Sequence, residues 1–407
     1  MISPFLTAHA LRSLGAVAAA TVCLTAAGYY AFALYCARDF FRRAAVRQRG
    51  FGPPITVLKP ICGLDRGAYE NFASFCRQNY PQFQILFGSD DENDPGVAVA
   101  RQIARDFPTA DIRIVIHRGP RTANPKVGTL AAMAAEARHG LLLVSDSDIR
   151  VGPGHLSTLV GPMSDPRVGV VTCLYRSDAE GLAGNLDALG LSTDFQPSVL
   201  VARKLEGISF GMGSGILIRR TALAASGGFE AIADFLADDY LLGNLPVRSG
   251  YRAELSADVV EHALGTSTLR GVVEHQVRWN RGIRAMRPFG YAGLLLTQGT
   301  PASLLLLALA WETPAARALA AATLLLRVAM AWYVAAHCLR DRAARKTLWL
   351  LPVRDLMGFG LWLTAFFGDS VVWRSKRFRL APGGRLVAEA TGTAEPHSDL
   401  ARTDLAS

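Results

Sequence analysis

Apolar positions along this 407-residue chain fall into three regimes. From Ser13 to about Tyr35 they run almost unbroken, long enough to cross a bilayer. Between about residues 50 and 290 they split into short runs separated by charged, Gly- and Pro-bearing segments. From Tyr291 to about Trp373 they become long again.

The middle regime predicts alternating strands and helices. Ile55–Leu58, Gln84–Gly88, Ile112–His117 and Leu141–Ser145 read as strands, since four- to six-residue apolar runs suit strands covered on both faces. Gly67–Asn79, Pro95–Asp106 and Lys126–Arg138 read as the helices between them. This βαβα rhythm predicts an α/β domain with a mostly parallel sheet and right-handed crossovers. A further strand is expected at Val168–Leu174, a helix over Gly181–Leu205, and a strand at Met212–Ile218. Helices follow at Ala237–Val247 and Thr268–Met286. No Gly-x-Gly-x-x-Gly or Walker loop occurs, which disfavours dinucleotide-binding and P-loop folds.

The flanks predict membrane segments. Arg38, Arg42, Arg43, Arg47 and Arg49 follow the first apolar run and, by the positive-inside rule, place the following domain in the cytoplasm. The run therefore reads as a retained signal-anchor. Tyr291–Trp311 and about Ala315–Ala336 are two span candidates around Glu312-Thr313-Pro314; Arg327 in the second must face protein or snorkel. Arg340, Arg342, Arg345 and Lys346 mark a return to the cytoplasm. The last stretch, Leu348–Trp373, is interrupted by Pro352, Arg354 and Asp355 and followed by Arg374, Lys376, Arg377 and Arg379, which suits a re-entrant or interfacial segment. The expected organisation is an anchor over 1–49, a cytoplasmic domain over 50–290, a membrane region over 291–380 and a disordered tail over 381–407.

Composition adds direction. Half the residues are hydrophobic, mean hydropathy is +0.22, and net charge is +9, with much of the Arg and Lys beside the apolar segments. That favours an anionic membrane surface as partner; no nucleic-acid motif is present. Six cysteines form no Cys-x-x-Cys pair and no zinc spacing, which fits a reducing cytoplasm.

The candidate chemistry centres on Leu141-Leu142-Leu143-Val144-Ser145-Asp146-Ser147-Asp148. Ligands of open α/β sheets sit beyond the carboxyl ends of strands. Two hard oxygen ligands there suit a divalent cation carrying a diphosphate; a polar turn with capping aspartates is the plain alternative. Asp90, Asp91 and Asp94 follow the second strand, where a nucleotide base and ribose could be read, though the same residues make good turns. Asp238 and Asp239 open a helix, where a carboxylate also complements the dipole. His275, Arg278 and Trp279 stand at i, i+3 and i+4 on one helix face, beside Gln276. They offer a cation for a diphosphate and a ring for a sugar or lipid; a basic helix lying on the membrane reads the same way. Lys59 and Lys126 are further cations near strand ends or helix starts, or ordinary surface lysines.

In this order, Asp91, Asp146-Ser147-Asp148, Asp239 in Ala237-Asp238-Asp239-Tyr240 and Arg278-Trp279 resemble the inverting membrane glycosyltransferases of the ceramide glucosyltransferase type. Thr56–Pro60, Ser74–Gln78, Val171–Arg176, Pro197–Arg203, Leu236–Gly243 and Arg278–Pro288 are similar, more finely, to the hopanoid-biosynthesis-associated glycosyltransferases. The resemblance covers about residues 50 to 290 plus the terminal spans. It implies a GT-A (nucleotide-diphospho-sugar transferase) fold flanked by transmembrane helices, in a bacterial inner membrane with the catalytic domain cytoplasmic. It implies that Asp91 contacts the nucleotide, that Asp146 and Asp148 bind Mg²⁺ or Mn²⁺, and that Asp239 is the general base; Lys59 and Lys126 join the expected nucleotide-sugar contacts by their position alone. Arg278 and Trp279 would hold the diphosphate and the acceptor side. The family's Gln/Arg-x-x-Arg-Trp is altered here: His275 takes the first place and Gln276 follows it. The implied donor is UDP-N-acetylglucosamine and the acceptor bacteriohopanetetrol; glucosylation of ceramide from UDP-glucose is the rival. A non-catalytic nucleotide-binding scaffold is the alternative of a different class, and it would be expected to have lost some carboxylates that this chain keeps.

Overall fold

Short Leu/Val/Ile runs become fully covered strands: every residue of β1 (Ile55–Pro60) and β4 (Leu141–Val144) is buried. With β2 (Phe83–Ser89), β3 (Asp111–Ile116), β5 (Ile149–Arg150), β6 (Val168–Asp178), β7 (Ile216–Arg219) and β8 (Arg252–Ala263) they form one sheet in the order β3-β2-β1-β4-β7-β6-β8-β5. The computed structural model describes residues 4–43, 51–265, 268–373 and 376–388. β1 pairs in parallel with β2 and β4, β2 with β3, and β6 with β8, while β7 runs antiparallel to both its neighbours. The expected α/β class and mostly parallel sheet are therefore present. Helices Ala68–Cys76, Pro95–Asp106 and Pro125–Glu136 connect the parallel strands. The last two start on a capping side chain followed by Pro: Asp94 accepts from Gly96 N at 2.8 Å and Asn124 from Val127 N at 3.4 Å.

The sheet has to curl. Only four residues, 145–148, join β4 to β5, yet three strands lie between these two in the sheet order. Four strand spacings amount to about 19 Å, and five residue steps reach at most about 18 Å. A flat sheet would leave the connection stretched beyond its length, so the curl brings β5 and β8 round toward the end of β4.

Several expectations change. The strand expected over Met212–Ile218 is confined to β7, and Met212–Gly215 forms a loop instead. β8 was not anticipated. Glu254, Asp258 and Glu261 interrupt its apolar pattern, and its pairing with β6 is shifted between Cys173 and Leu174, which breaks the period-two signal.

Among the described residues two helices are long and apolar enough to cross a membrane, His9–Arg43 and Pro314–Cys338. The third expected span, Tyr291–Trp311, is broken: Pro288–Thr297 and Gly299–Ala310 meet at 51°. The last apolar stretch contributes only a 14-residue helix, Leu351–Thr364, and then turns into β9 (Ser370–Trp373). β9 pairs with β10 (Lys376–Leu380), which pairs with β11 (Leu386–Ala388). The tail expected to be disordered from Ala381 therefore begins with an ordered strand; 389–407, like Arg47, Arg49 and Arg374, lie outside the described residues.

Two prolines explain how the apolar region is knitted together. Pro301 has no N–H to give to the carbonyl of Thr297, and Tyr30 donates to that carbonyl at 2.7 Å. Pro197 likewise leaves the carbonyl of Thr193 free, within a wider π-type turn at Leu191–Phe195, and Arg327 Nη1 donates to it at 2.8 Å. Arg327 is 3% exposed and faces protein, as its cost in lipid requires. Its guanidinium meets Asp355 and Asp194, each at 2.6 Å. Of the charges that interrupt the last apolar stretch, Asp355 is thus the partner of Arg327 in the preceding helix, and Arg354 lies 3.8 Å from Asp194.

Removing one partner of a buried pair strands the other, at a cost of about 3–5 kcal/mol. Arg327→Leu should therefore lower the thermal unfolding midpoint of the detergent-solubilised protein markedly, and Arg327→Leu with Asp355→Leu should recover part of the loss. An unchanged midpoint in the single variant would contradict this account.

Candidate active site

The carboxyl end of β4 is where the acidic residues gather. Beyond Val144 the chain turns through Ser145–Asp148. Lys59, at the end of the neighbouring β1, holds this turn from below: its ammonium donates to the Asp146 carbonyl at 2.7 Å and to the Ile149 carbonyl at 3.5 Å. It is fully buried, with the Phe75 ring centroid 4.0 Å away. Burial pulls its pKa down to about 7, against the opposing pull of Asp148, Asp146 and Asp65. Any influence of Lys59 on a ligand passes through the turn it supports. Asp65, which carried no sequence signal, accepts from Ser147 Oγ at 2.5 Å.

Above the turn, Lys126 joins three elements. It stands in the first turn of Pro125–Glu136, and its ammonium lies 2.6 Å from Asp146 Oδ1 and 3.1 Å from Asp238 Oδ2. Burial works against this ammonium, but Asp146, Asp238 and Asp239 together outweigh it and keep it protonated. Asn124, the cap of the same helix, donates to Asp238 Oδ1 at 3.3 Å. Asp238 is buried and so serves as the internal partner. Asp239 is half-buried beside it: Oδ2 accepts from Gly213 N at 3.3 Å and Oδ1 from Tyr240 N at 2.7 Å. Burial first, and Asp238 second, raise its pKa to about 6.

Gly213 sits between the two carboxylates in the Met212–Gly215 loop. A Cβ there would come within 2.4 Å of Asp146 Oδ2, so the loop needs glycine to approach so closely.

Asp148 faces the other way. His262 Nε2 on β8 contacts its Oδ2 at 3.0 Å, and Ser177 Oγ lies 3.2 Å from His262 Nδ1. Burial alone would raise the Asp148 pKa and lower that of His262; their mutual attraction reverses both. His262 was missed because the strand that carries it was missed.

The predicted nucleotide side is less closely tied. Asp90 and Asp91 are exposed and line a cleft of about 350 Å³ with Glu92, His117, Arg121 and Pro125 at the ends of β2 and β3. Asp91 accepts from Asn93 N at 2.9 Å. Pro125 places this cleft next to Lys126. Asp94 is occupied as a clamp: besides capping its own helix it accepts from Gly63 N at 2.7 Å.

Helix Leu269–Met286 carries the basic motif and is capped by Thr268. His275 and Trp279 touch, with ring centroids 5.4 Å apart, which confirms their common face. Gln276 is buried and donates to Asp187 Oδ1 at 2.5 Å, while His275 Nδ1 lies 3.7 Å from Asp187 Oδ2. Asp187 therefore organises both residues at the altered motif position, and no spacing rule pointed to it. Arg278 is half-buried and makes no ion pair among the described residues; burial lowers its pKa. Trp279 joins a row of rings: Phe195 lies 5.8 Å from it, Tyr175 6.0 Å from Phe195, and His262 5.8 Å from Tyr175. The row connects the basic helix to Asp148.

A sequence profile of Glycosyl transferase family 21 matches residues 18–386. Ceramide glucosyltransferase 1 of Caenorhabditis elegans is 29% identical over 238 residues, 58% of this chain and 51% of the relative. Ceramide glucosyltransferase 3 of the same organism is 24% identical over 355 residues, 84% of this chain and 76% of the relative. The chain spans about half the length of the first of these. Among solved structures, a mannosyltransferase from Pyrobaculum calidifontis in complex with GDP-Man and Mn²⁺ is 18% identical. It aligns with 85% of this chain and 99% of its own at a TM-score of 0.48.

The Lys126 bridge makes a pH-dependent prediction. Burial already holds the Asp146 pKa above its ordinary value, and Lys126 is what opposes that shift; in Lys126→Met the opposing cation is gone and the Asp146 pKa rises further. Stability is then kept at low pH and lost as pH increases. The unfolding midpoint of Lys126→Met should fall further below wild type at pH 8 than at pH 5; equal losses at both would refute the bridge.

Proposed function

The chain belongs to Glycosyl transferase family 21, and from that we propose that it transfers a sugar from a UDP-sugar to the hydroxyl of a membrane lipid, with inversion. The observation that carries the reading is the junction of Lys126, Asp146, Asp238 and Asp239 at one strand end, beside a cleft holding Asp91. The chain keeps every carboxylate that a degenerate scaffold could discard. Its apolar helices and the bent pair after Met286 fit a lipid acceptor delivered from the bilayer. We place the domain on the cytoplasmic face of a bacterial inner membrane and take its core as GT-A.

The residues fit a divalent cation. Asp146 is 36% exposed and uses Oδ1 for Lys126, which leaves Oδ2 for a metal; Asp148 is the second candidate ligand. No group of three or more Asp, Glu, His or Cys side chains converges among the described residues. Mg²⁺ and Mn²⁺ on nucleotides commonly take one or two carboxylates and complete their shell with phosphate and water. Bound there, the cation would neutralise charge on the departing diphosphate.

The chain's own groups account for the rest. Asp91 lines the nucleotide cleft, and Lys126 and Arg278 supply positive charge for the diphosphate. Asp239, with two backbone N–H groups fixing its carboxylate, takes the proton from the acceptor hydroxyl as that oxygen attacks the anomeric carbon. Trp279 offers a flat surface to the acceptor side. The donor we favour is UDP-N-acetylglucosamine and the acceptor bacteriohopanetetrol. The named relatives, ceramide glucosyltransferases, favour a second reading, glucose transfer to ceramide, for which we take UDP-glucose as the donor. Incubating membranes with both lipids and both labelled donors separates them; glucosylceramide as sole product would overturn the hopanoid assignment.

General-base help is worth about 10²–10⁴-fold. Asp239→Asn should lose that factor in turnover while keeping its unfolding midpoint, and near-normal turnover would remove Asp239 from the mechanism. Because Asp239 acts ionised, kcat/KM in the wild type should fall as pH drops through about 6. An acid limb that bends only far below that value would show that the base is another group.

A further inference from the structure

The C-terminal sheet presents a second face that neither the fold nor the site uses. Directly opposed residues of antiparallel strands share a face. The register sets Val371 opposite Phe378 and Leu386 opposite Leu380. These four form a buried cluster against Ala123, Leu236 and Ala285. The same register sets Val372 opposite Arg377 and Val387 opposite Arg379 on the outer side. Val372 is 58% exposed, Val387 39%, and both arginines are exposed. Neither arginine makes a side-chain hydrogen bond or ion pair among the described residues.

Interleaved valines and unpaired arginines are poorly matched to water alone or to hydrocarbon alone. They suit a headgroup layer, where cations meet phosphates and short apolar side chains reach the acyl boundary. The position agrees. β9 follows a helix whose Val353, Leu356 and Leu363 are exposed, and Phe367 just after it is 71% exposed. Five residue steps separate Phe367 from Val372, at most about 18 Å. Arg281 donates to the carbonyls of Phe367 and Ser370, which pins this junction to the basic helix. Four side chains fall far short of the roughly 1,000 Å² that a stable protein interface needs. Headgroup contact needs no such area, because the apolar helices already bring the chain to the bilayer.

We propose that the Val372–Arg377–Arg379–Val387 face rests on an anionic bilayer surface, with the arginines on acidic phospholipid phosphates. The contact has a destination. Leu386 N donates to the Asp234 carbonyl at 2.7 Å, Leu236 N donates to the Gly384 carbonyl at 3.2 Å, and Arg385 pairs with Asp234 at 2.9 Å. The sheet thus grips the segment leading into Asp238 and Asp239 and sets its height above the bilayer. This holds whichever sugar or lipid the site uses.

The full chain would be reconstituted in nanodiscs of phosphatidylcholine alone or with phosphatidylglycerol, and amide hydrogen exchange followed across β9–β11. Phosphatidylglycerol should slow exchange there on the order of tenfold, and high salt should remove the effect, since headgroup attraction is screened. Arg377→Gln with Arg379→Gln should abolish the lipid dependence. Wild-type exchange that is equal in both lipids, a lipid effect that persists in high salt, or one that survives in the double variant would overturn the proposal. Protection that tracks protein concentration and not lipid would assign the face to a second copy and overturn it equally.

Discussion

One ammonium holds the candidate site together. Lys126 reaches from the first turn of its helix to the end of β4 and to the start of helix Asp238–Arg248. Without it, Asp146, Asp238 and Asp239 would crowd three carboxylates into a half-buried space, and mutual repulsion would push them apart or leave some protonated. With it, Asp238 is paired internally, while burial and the adjacent Asp238 still keep the pKa of Asp239 raised. Two adjacent aspartates thereby acquire different roles from their surroundings alone. Lys59 performs the complementary task from beneath, fixing the backbone of the turn and not its carboxylates.

The apolar region is an extension of the same structure. Tyr30 and Arg327 satisfy carbonyls that Pro301 and Pro197 leave without a donor, where solvent is scarce and an orphan carbonyl is expensive. Arg327 binds Asp194, whose neighbour Phe195 touches both Tyr175 and Trp279. A continuous line of contacts thus runs from the buried charge among the apolar helices to the aromatic row beside the candidate acceptor side. The C-terminal sheet makes a second connection, from the end of the apolar region to the approach of Asp238. The membrane helices and the α/β domain share these parts.

Much of the framework was legible in the residues. The alternating strands and helices up to β4 were, because short apolar runs bounded by Gly, Pro and Asp have few alternatives. So was the need for Arg327 to face protein or snorkel, whereas the caps at Asp94, Asn124 and Thr268 emerged only in the structure. The acidic positions 146, 238 and 239 stood out for their place at element ends, and the structure brings them to one point. The common face of His275 and Trp279 followed from helical spacing.

What was not legible depends on chain segments far apart in sequence. β8 is interrupted by charges and a bulge, so His262 carried no signal until the curled sheet set it against Asp148. Asp187 gained its meaning only from packing against Gln276 and His275, and Gly213 only from the closeness of two carboxylates. The short strands after Thr364 read as the end of an apolar stretch because their partners are each other. Local pattern determined the elements, through periodicity and capping, which act within a few residues. Tertiary structure alone decided which charges face one another, because electrostatic energies depend on distances that sequence separation does not constrain.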